Sequence, residues 1–242
     1  MSWRVALIDS CGEWPGAIDA AAFAADAATP AGAPPQVECR PTVADPSGHG
    51  SRIARLFTGS TAAFELLLGQ VFLDNAPTTG AVIAAAIDWA VGGRADLIHM
   101  SLGLEADRAV LAASVRRAID SRCIVVASTP ARGKVVYPAA YAGVIRATGD
   151  ARCAPGELSC LGPLMFGGCP RFAQNVPADS GAGVAVGGAS AGAAWVTRNI
   201  LSAPKQGTAG AVAAALTAAA RYLGPERRGA VPAGRSQAGA QI

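Results

Sequence analysis

Only two histidines, His49 and His99, occur in 242 residues. Any chemistry that needs an imidazole base therefore has only these two residues to choose from. Aromatic residues make up 5% of the chain and charged residues 15%. The formal net charge is +3, with the arginines scattered except near the C-terminus. That is too mild for a nucleic-acid surface, and no nucleic-acid partner is expected. No apolar run reaches the length of a membrane span without a glycine or a charge, so no span is expected either. Residues 3–8 lead straight into Asp9, with no basic n-region, apolar h-region or cleavage site of a secretory signal. This reads as a cytoplasmic chain. Its six cysteines are then expected as thiols rather than bridges. Cys153, Cys160 and Cys169 lie close in sequence but lack the C-x-x-C spacing of a zinc site. There is no acidic cluster convincing enough for calcium, and no metal or cofactor is expected.

What is present is apolar and small. Hydrophobic residues make up 51% of the chain, with 29 glycines; this suits helices packed closely on a sheet, and the length allows one domain with a large core. Residues 3–9 form a short apolar run ending in a carboxylate, the pattern of a buried parallel strand with Asp9 at its C-terminal end, where open α/β sheets carry their ligands. Further strands are expected at 37–40, 64–73 (interrupted by Gly69), 96–100, 123–127 and 144–148. Helices are expected at 17–25, after His49, and at 79–91, where Val82, Ile83, Ala86, Ile87 and Ala90 share one face before Gly92-Gly93 stops the turn. Others are expected at 107–120, 190–201 and 209–223. Residues 152–179 read as loops with short strands. The alternation of strands and helices predicts an α/β fold, a mostly parallel sheet with helices on both faces. Residues 1–225 form the domain, and 226–242 read as a disordered tail.

Three residues carry the chemistry. Asp9 ends a strand. His49 follows Asp45-Pro46-Ser47-Gly48 at the start of a helical pattern. Ser190 lies between glycine-rich backbone and an Ala-rich helix, where unpaired N–H groups and the positive end of the helix dipole meet. A hydroxyl there can attack a carbonyl while a nearby N–H stabilises the oxyanion. His99 lies within a strand pattern and suits a packed or hydrogen-bonded role, which leaves His49 as the base.

Asp…His…Ser is one of the known chain orders of the hydrolytic triad. Here the flanks agree with that order. Val5-Ala6-Leu7-Ile8-Asp9-Ser10, Asp45-x-x-Gly48-His49-Gly50-Ser51, Ile98-His99-Met100-Ser101-Leu102-Gly103 and Gly188-Ala189-Ser190-Ala191 resemble, in order, motifs of the subtilisin-like serine peptidases. Ile87-Asp88-Trp89-Ala90 and Tyr137-Pro138-Ala139-Ala140-Tyr141 also match family segments. The resemblance runs from about Val5 to Leu201. It implies the three-layer subtilisin-like α/β fold. It also implies that Ser190 is the nucleophile, that His49 is the base, and that Asp9 orients the imidazole. By the same resemblance the Ser190 N–H would donate to the oxyanion, and Ser101, Leu102 and Gly103 on one strand, with Val126, Ala127 and Ser128 on the next, would hold an extended peptide substrate.

The chain departs from the family pattern in places. Cys11 stands where glycine is usual, and Ala194 where proline is usual. Ala131 falls where an asparagine normally donates to the oxyanion, leaving Ser128, Thr129 and Asn175 as candidates for that bond. Neither a secretory signal nor an inhibitory pro-segment precedes the first strand, which implies narrow specificity, low intrinsic activity or activation by a partner. In compactness and cysteine content the chain resembles stand-alone subtilases that remove leader peptides, including the kind that trims the small quinone-bearing subunit of quinohaemoprotein amine dehydrogenase. The expected partner is thus a leader-bearing precursor. A weak or inactive subtilase-like peptide-binding protein stands as the second reading. An esterase of another α/β family is disfavoured by the order of the three residues.

Overall fold

In the computed structural model the described residues are 2–26, 28–29, 36–60, 63–73, 78–134, 136–172 and 187–226. The sheet is built on β1 (Trp3–Asp9), whose seven residues alternate between two apolar faces. Val5 and Leu7 point to one core, and Ala6 and Ile8 to the other. A strand buried on both sides must be apolar throughout, which is how residues 3–8 read. Among the described residues ten strands, numbered in chain order, lie in the order β10-β8-β9-β7-β6-β5-β1-β4-β2-β3. The central ones are β4 (Phe64–Gln70), β5 (Leu97–Met100), β6 (Ile124–Ser128) and β7 (Ile145–Gly149). All pairings are parallel except β2–β3 and β8–β9.

The helices cover both faces, so the expected three-layer α/β architecture is present. α2 (Gly80–Gly92) and α3 (Ala109–Asp120) cover the face of Ala6 and Ile8. α1 (His49–Thr58), α4 (Gly188–Ser202) and α5 (Ala209–Ala219) cover the face of Val5 and Leu7. Thr79 caps α2 by accepting a hydrogen bond from the Val82 N–H, and Thr208 caps α5 in the same way through the Ala211 N–H. Among the described residues no helix is long and apolar enough to cross a membrane. All six cysteines are free thiols.

Three expectations need correction. Residues 17–25 form not a helix but β2 (Ala17–Ala25). It pairs with β4 on one side and β3 (Val37–Arg40) on the other. Its Phe23 packs against Trp89 of α2 with ring centroids 5.8 Å apart. Helix propensity of a few tenths of a kcal/mol per residue yields to two ladders and a packed aromatic pair. The helix expected over 209–223 stops at Ala219, and Tyr222–Leu223 become β10. There the N–H groups of Arg221 and Gly224 donate to the Leu158 and Cys160 carbonyls of β8 (Leu158–Gly162). Gly69 does not interrupt β4. It pairs with Ile8, and a Cβ there would stand only 3.3 Å from Ile8 Cγ1, so the glycine lets the core close over the strand. The tail expected at 226–242 lies, beyond Glu226, outside the described residues.

Candidate active site

Asp9 ends β1 fully buried, and the loop after it turns at once toward α1. Its Oδ1 accepts hydrogen bonds from the Ser10 N–H at 2.8 Å and the Ser10 hydroxyl at 3.2 Å, and lies 2.8 Å from His49 Nδ1. Oδ2 is buried without a partner among the described residues. A carboxylate accepts only, so Nδ1 carries the imidazole proton and Nε2 keeps its lone pair, as a general base requires. Burial pushes the His49 pKa down. The hydrogen bond to Asp9 and its charge push it up and prevail, helped by Asp45 and opposed by Arg52, so the net position is above the ordinary imidazole value.

His49 is held by the start of α1. Gly48, at a left-handed φ of 64°, offers no side-chain cap. Asp45 serves instead: its carboxylate accepts from the N–H groups of Gly48 and Ser51 at 2.8 Å each and from the Ser51 hydroxyl at 2.6 Å. Burial raises the Asp45 pKa, but the bonds from Ser51, Ser10 and Gly48 outweigh it and leave the group below its ordinary value. Ser10 Oγ joins the two elements by accepting from the Gly50 N–H at 2.9 Å and the Ser47 hydroxyl at 3.1 Å. Gln70, fully buried at the end of β4, braces the same corner. Its Nε2 donates to the Ser10 carbonyl at 2.8 Å and the Val43 carbonyl at 3.0 Å, while its Oε1 accepts from the Val43 N–H at 2.9 Å. Sequence reading passed over Ser10, Asp45 and Gln70 as functional residues. The Asx-type spacing Asp45-x-Ser47 was a usable signal for the turn; nothing local marks Gln70.

Ser190 is the third residue of α4. The first intrahelical bond there runs from the Ala191 N–H to the Gly187 carbonyl. The Ser190 N–H is thus one of the first-turn donors a helix leaves unpaired, at the positive end of its dipole. The hydroxyl donates to the Ser101 carbonyl at 3.5 Å, and the Ser101 hydroxyl donates back to the Ser190 carbonyl at 3.5 Å. Both are long, weak contacts. Asp9 and His49 are therefore brought together, while Ser190, on α4 in the same helical layer as His49, has its hydroxyl on Ser101 rather than on the imidazole. Phe172 packs edge-on to His49 at 6.4 Å between centroids. It also crowds Gly187, where a Cβ would stand 2.5 Å from the phenyl ring.

α4 reaches this place because glycines remove the atoms in its way. A Cβ on Gly192 would lie 2.1 Å from the Thr148 carbonyl oxygen of β7. One on Gly149 would lie 2.6 Å from the Gly188 oxygen, and one on Gly168 2.6 Å from the Gly192 oxygen. The first turn of the helix thus rests directly on the backbone of β7 and β9 (Met165–Gly168).

The expected peptide-binding residues divide. Ser101, Leu102 and Gly103 continue β5 beyond its last paired residue, Met100, and Gly103 is exposed. Val126 and Ala127 are withdrawn: both are fully buried, and their main chain is paired to β5 on one side and β7 on the other. No edge remains there for a peptide to join. Ser128, the last residue of β6, is 7% exposed and pairs with Ala147. Among the oxyanion candidates, Thr129 follows it with its N–H bonded to the Ala147 carbonyl at 2.8 Å. Ala131 lies exposed in the next turn, and Asn175 lies outside the described residues. Among those residues no three His, Cys, Asp or Glu side chains gather as metal ligands would.

No family model matches the chain. A thermostable alkaline protease of Halalkalibacterium halodurans is 28% identical over 120 residues, which is 45% of this chain and 33% of that protein. The minor extracellular protease Epr of Bacillus subtilis is 27% identical over 113 residues, 42% of this chain and 18% of that one. The matches thus span a third or less of these relatives' own length. The chain is similar to subtilisin-type proteases, in agreement with its motif order and its α/β layers. Among solved structures, a lanthipeptide protease superposes over 60% of this chain and 47% of its own at 22% identity, with a TM-score of 0.44. The prenylagaramide maturation protease PagA covers 61% and 53% at 16% identity, with a TM-score of 0.42.

Proposed function

We propose that this chain is a serine endopeptidase that works through Asp9, His49 and Ser190. The observation that carries the reading is the 2.8 Å bond from His49 Nδ1 to a buried Asp9 carboxylate, beside a serine in the first turn of a helix. Asp9 fixes the tautomer and favours the imidazolium that forms when His49 takes the Ser190 proton. For attack, the Ser190 hydroxyl leaves the Ser101 carbonyl and turns to His49 Nε2. The freed carbonyl then becomes an acceptor for the substrate main chain. As the tetrahedral intermediate forms, its oxyanion meets the Ser190 N–H, and His49 returns the proton to the leaving amine.

The substrate we propose is a leader-bearing precursor, cut once to release a mature peptide or small protein. A precursor of the small quinone-bearing subunit of quinohaemoprotein amine dehydrogenase is the specific candidate. A cytoplasmic site of action fits six free thiols. The second reading, a weak or inactive peptide-binding protein, draws on the hydroxyl resting on Ser101 and on Ala131 in place of an amide donor. The deciding experiment incubates the candidate precursor with the wild type and with Ser190→Ala and locates cleavage by mass spectrometry. The proposal expects one cut at the leader junction by the wild type alone. Binding of the precursor without cleavage by either protein would support the second reading.

A further inference from the structure

His99 takes no part in the proton transfers above, yet it is fully buried. Burial, and the nearby His49, hold its pKa down at about 3, so the ring is neutral across the working range. It is in register with Leu7, two residues before Asp9, on the adjacent strand. Phe57, from the helix that begins with His49, packs edge-on against it at 5.1 Å. Its Nδ1 lies 2.8 Å from Thr197 Oγ1 on α4, two turns beyond Ser190, and its Nε2 lies 2.8 Å from Ser101 Oγ. One imidazole therefore touches elements that carry or adjoin all three proposed triad residues.

The proton inventory gives these bonds a direction. A serine hydroxyl has one proton. The Ser101 hydroxyl gives its proton to the Ser190 carbonyl, which can only accept. In that arrangement it accepts from His99 at 2.8 Å, and Nε2 carries the ring proton. Nδ1 is left with a lone pair and accepts the Thr197 proton. The bonds run one way, from Thr197 to His99 to Ser101 to the Ser190 main chain, and every member is satisfied.

We propose that His99 is a positioning residue, a buried neutral clamp that fixes the first turn of α4 against the end of β5 and so sets where Ser190 stands relative to His49 and the substrate strand. It rests on the serine-endopeptidase reading. The clamp works at two points on α4: directly at Thr197, and through Ser101 at Ser190. Without it, the helix keeps its packing on β7 and β9 but loses the directional bonds that fix its height over β5. An error of about 1 Å at a nucleophile costs about a hundredfold in rate.

The test is the second-order rate of Ser190 labelling by an alkyl fluorophosphonate, measured well below Tm. If the wild type is not labelled at Ser190, the endopeptidase reading fails before the clamp is tested. If it is labelled, Thr197→Val should slow labelling by about tenfold to a hundredfold. Ser101→Ala should do likewise, and the double variant should be little worse than either single, because one clamp has been broken twice. His99→Gln, whose amide can donate to Ser101 and accept from Thr197, should restore most of the rate that His99→Leu loses. Should His99→Leu not fold, the Thr197→Val and Ser101→Ala pair still decides. Nitrogen NMR of the His99 ring should show Nε2 protonated at neutral pH. Wild-type labelling by Thr197→Val, simple additivity in the double variant, or the opposite tautomer would each overturn the proposal.

Discussion

Gly192 lies two residues beyond the proposed nucleophile, within a helix, where alanine would ordinarily be the better residue by about 1 kcal/mol. The structure reverses that sign. A Cβ at Gly192 would stand 2.1 Å from the Thr148 oxygen, 2.4 Å from the Thr148 carbonyl carbon and 2.6 Å from the Gly149 nitrogen. All three atoms are backbone in a paired strand, so no side chain can swing away. Ordinary contact begins at 3.4 Å, so helix and strand must part by about 1.3 Å at this point. Overpacking of this kind costs about 1–3 kcal/mol, partly offset by the propensity gain. Gly192→Ala should therefore lower Tm by several degrees, at about 2–4 °C per kcal/mol for a domain of this size. Because the displaced turn carries Ser190, the cleavage rate should fall by about a hundredfold at temperatures where the variant is fully folded. Gly210→Ala in α5, where a Cβ meets nothing within 4 Å, is the control and should leave Tm unchanged or slightly raised. Scanning calorimetry and initial rates on one peptide suffice. Gly192→Ala with wild-type Tm and rate would refute the claim that bare backbone contact seats the nucleophile helix.

The acid limb of kcat/KM should lie above the ordinary imidazole value of 6.5, because Asp9 and Asp45 raise the His49 pKa against burial and Arg52, and only the neutral ring is a base. Activity then falls as pH drops through that raised value, and Asp9→Asn should move the limb to lower pH; a limb unmoved by Asp9→Asn would contradict the assigned pairing. Gln70→Leu strands the buried Ser10 carbonyl, at about 1–3 kcal/mol, and leaves the backbone groups of exposed Val43 to water. Its Tm should drop by several degrees, and an unchanged Tm in a melting scan would show that the brace is dispensable. Ala131→Asn should raise kcat with little change in KM, by up to two to three powers of ten, if a side-chain donor limits the rate. Kinetics on a single peptide decide, and no gain would mean that the Ser190 N–H and other main-chain groups carry the charge.

The parts of the fold that can be read in the sequence are those whose burial is written along the chain itself. β1 with Asp9 at its end, α2 with its apolar face, and the start of α1 at His49 follow from local periodicity and turn residues. β2 could not be read in that way. Its alanines favour a helix locally, and only strands brought from residues 37–40 and 64–70 make it extended. β10 is equally hidden: two residues form a strand only because β8, far earlier in the chain, offers them an edge. The same holds at the site. Asp9, His49 and Ser190 are marked by their flanking motifs. The glutamine that braces them, the glycines that seat α4 and the bonds of His99 depend on which backbones meet, and no local pattern encodes that. Val126 and Ala127 fit a substrate strand by position, but the ladder uses their main chain on both sides.

The most direct measurement of the central claim is active-site labelling with an alkyl fluorophosphonate, read by mass spectrometry of the intact protein and its peptides. The account predicts one adduct per chain, located on Ser190, absent in Ser190→Ala. In Asp9→Asn the adduct should form more slowly by about three to four powers of ten, because the wrong tautomer withdraws the base. Labelling on another serine, or equal rates in the wild type and His49→Ala, would contradict it.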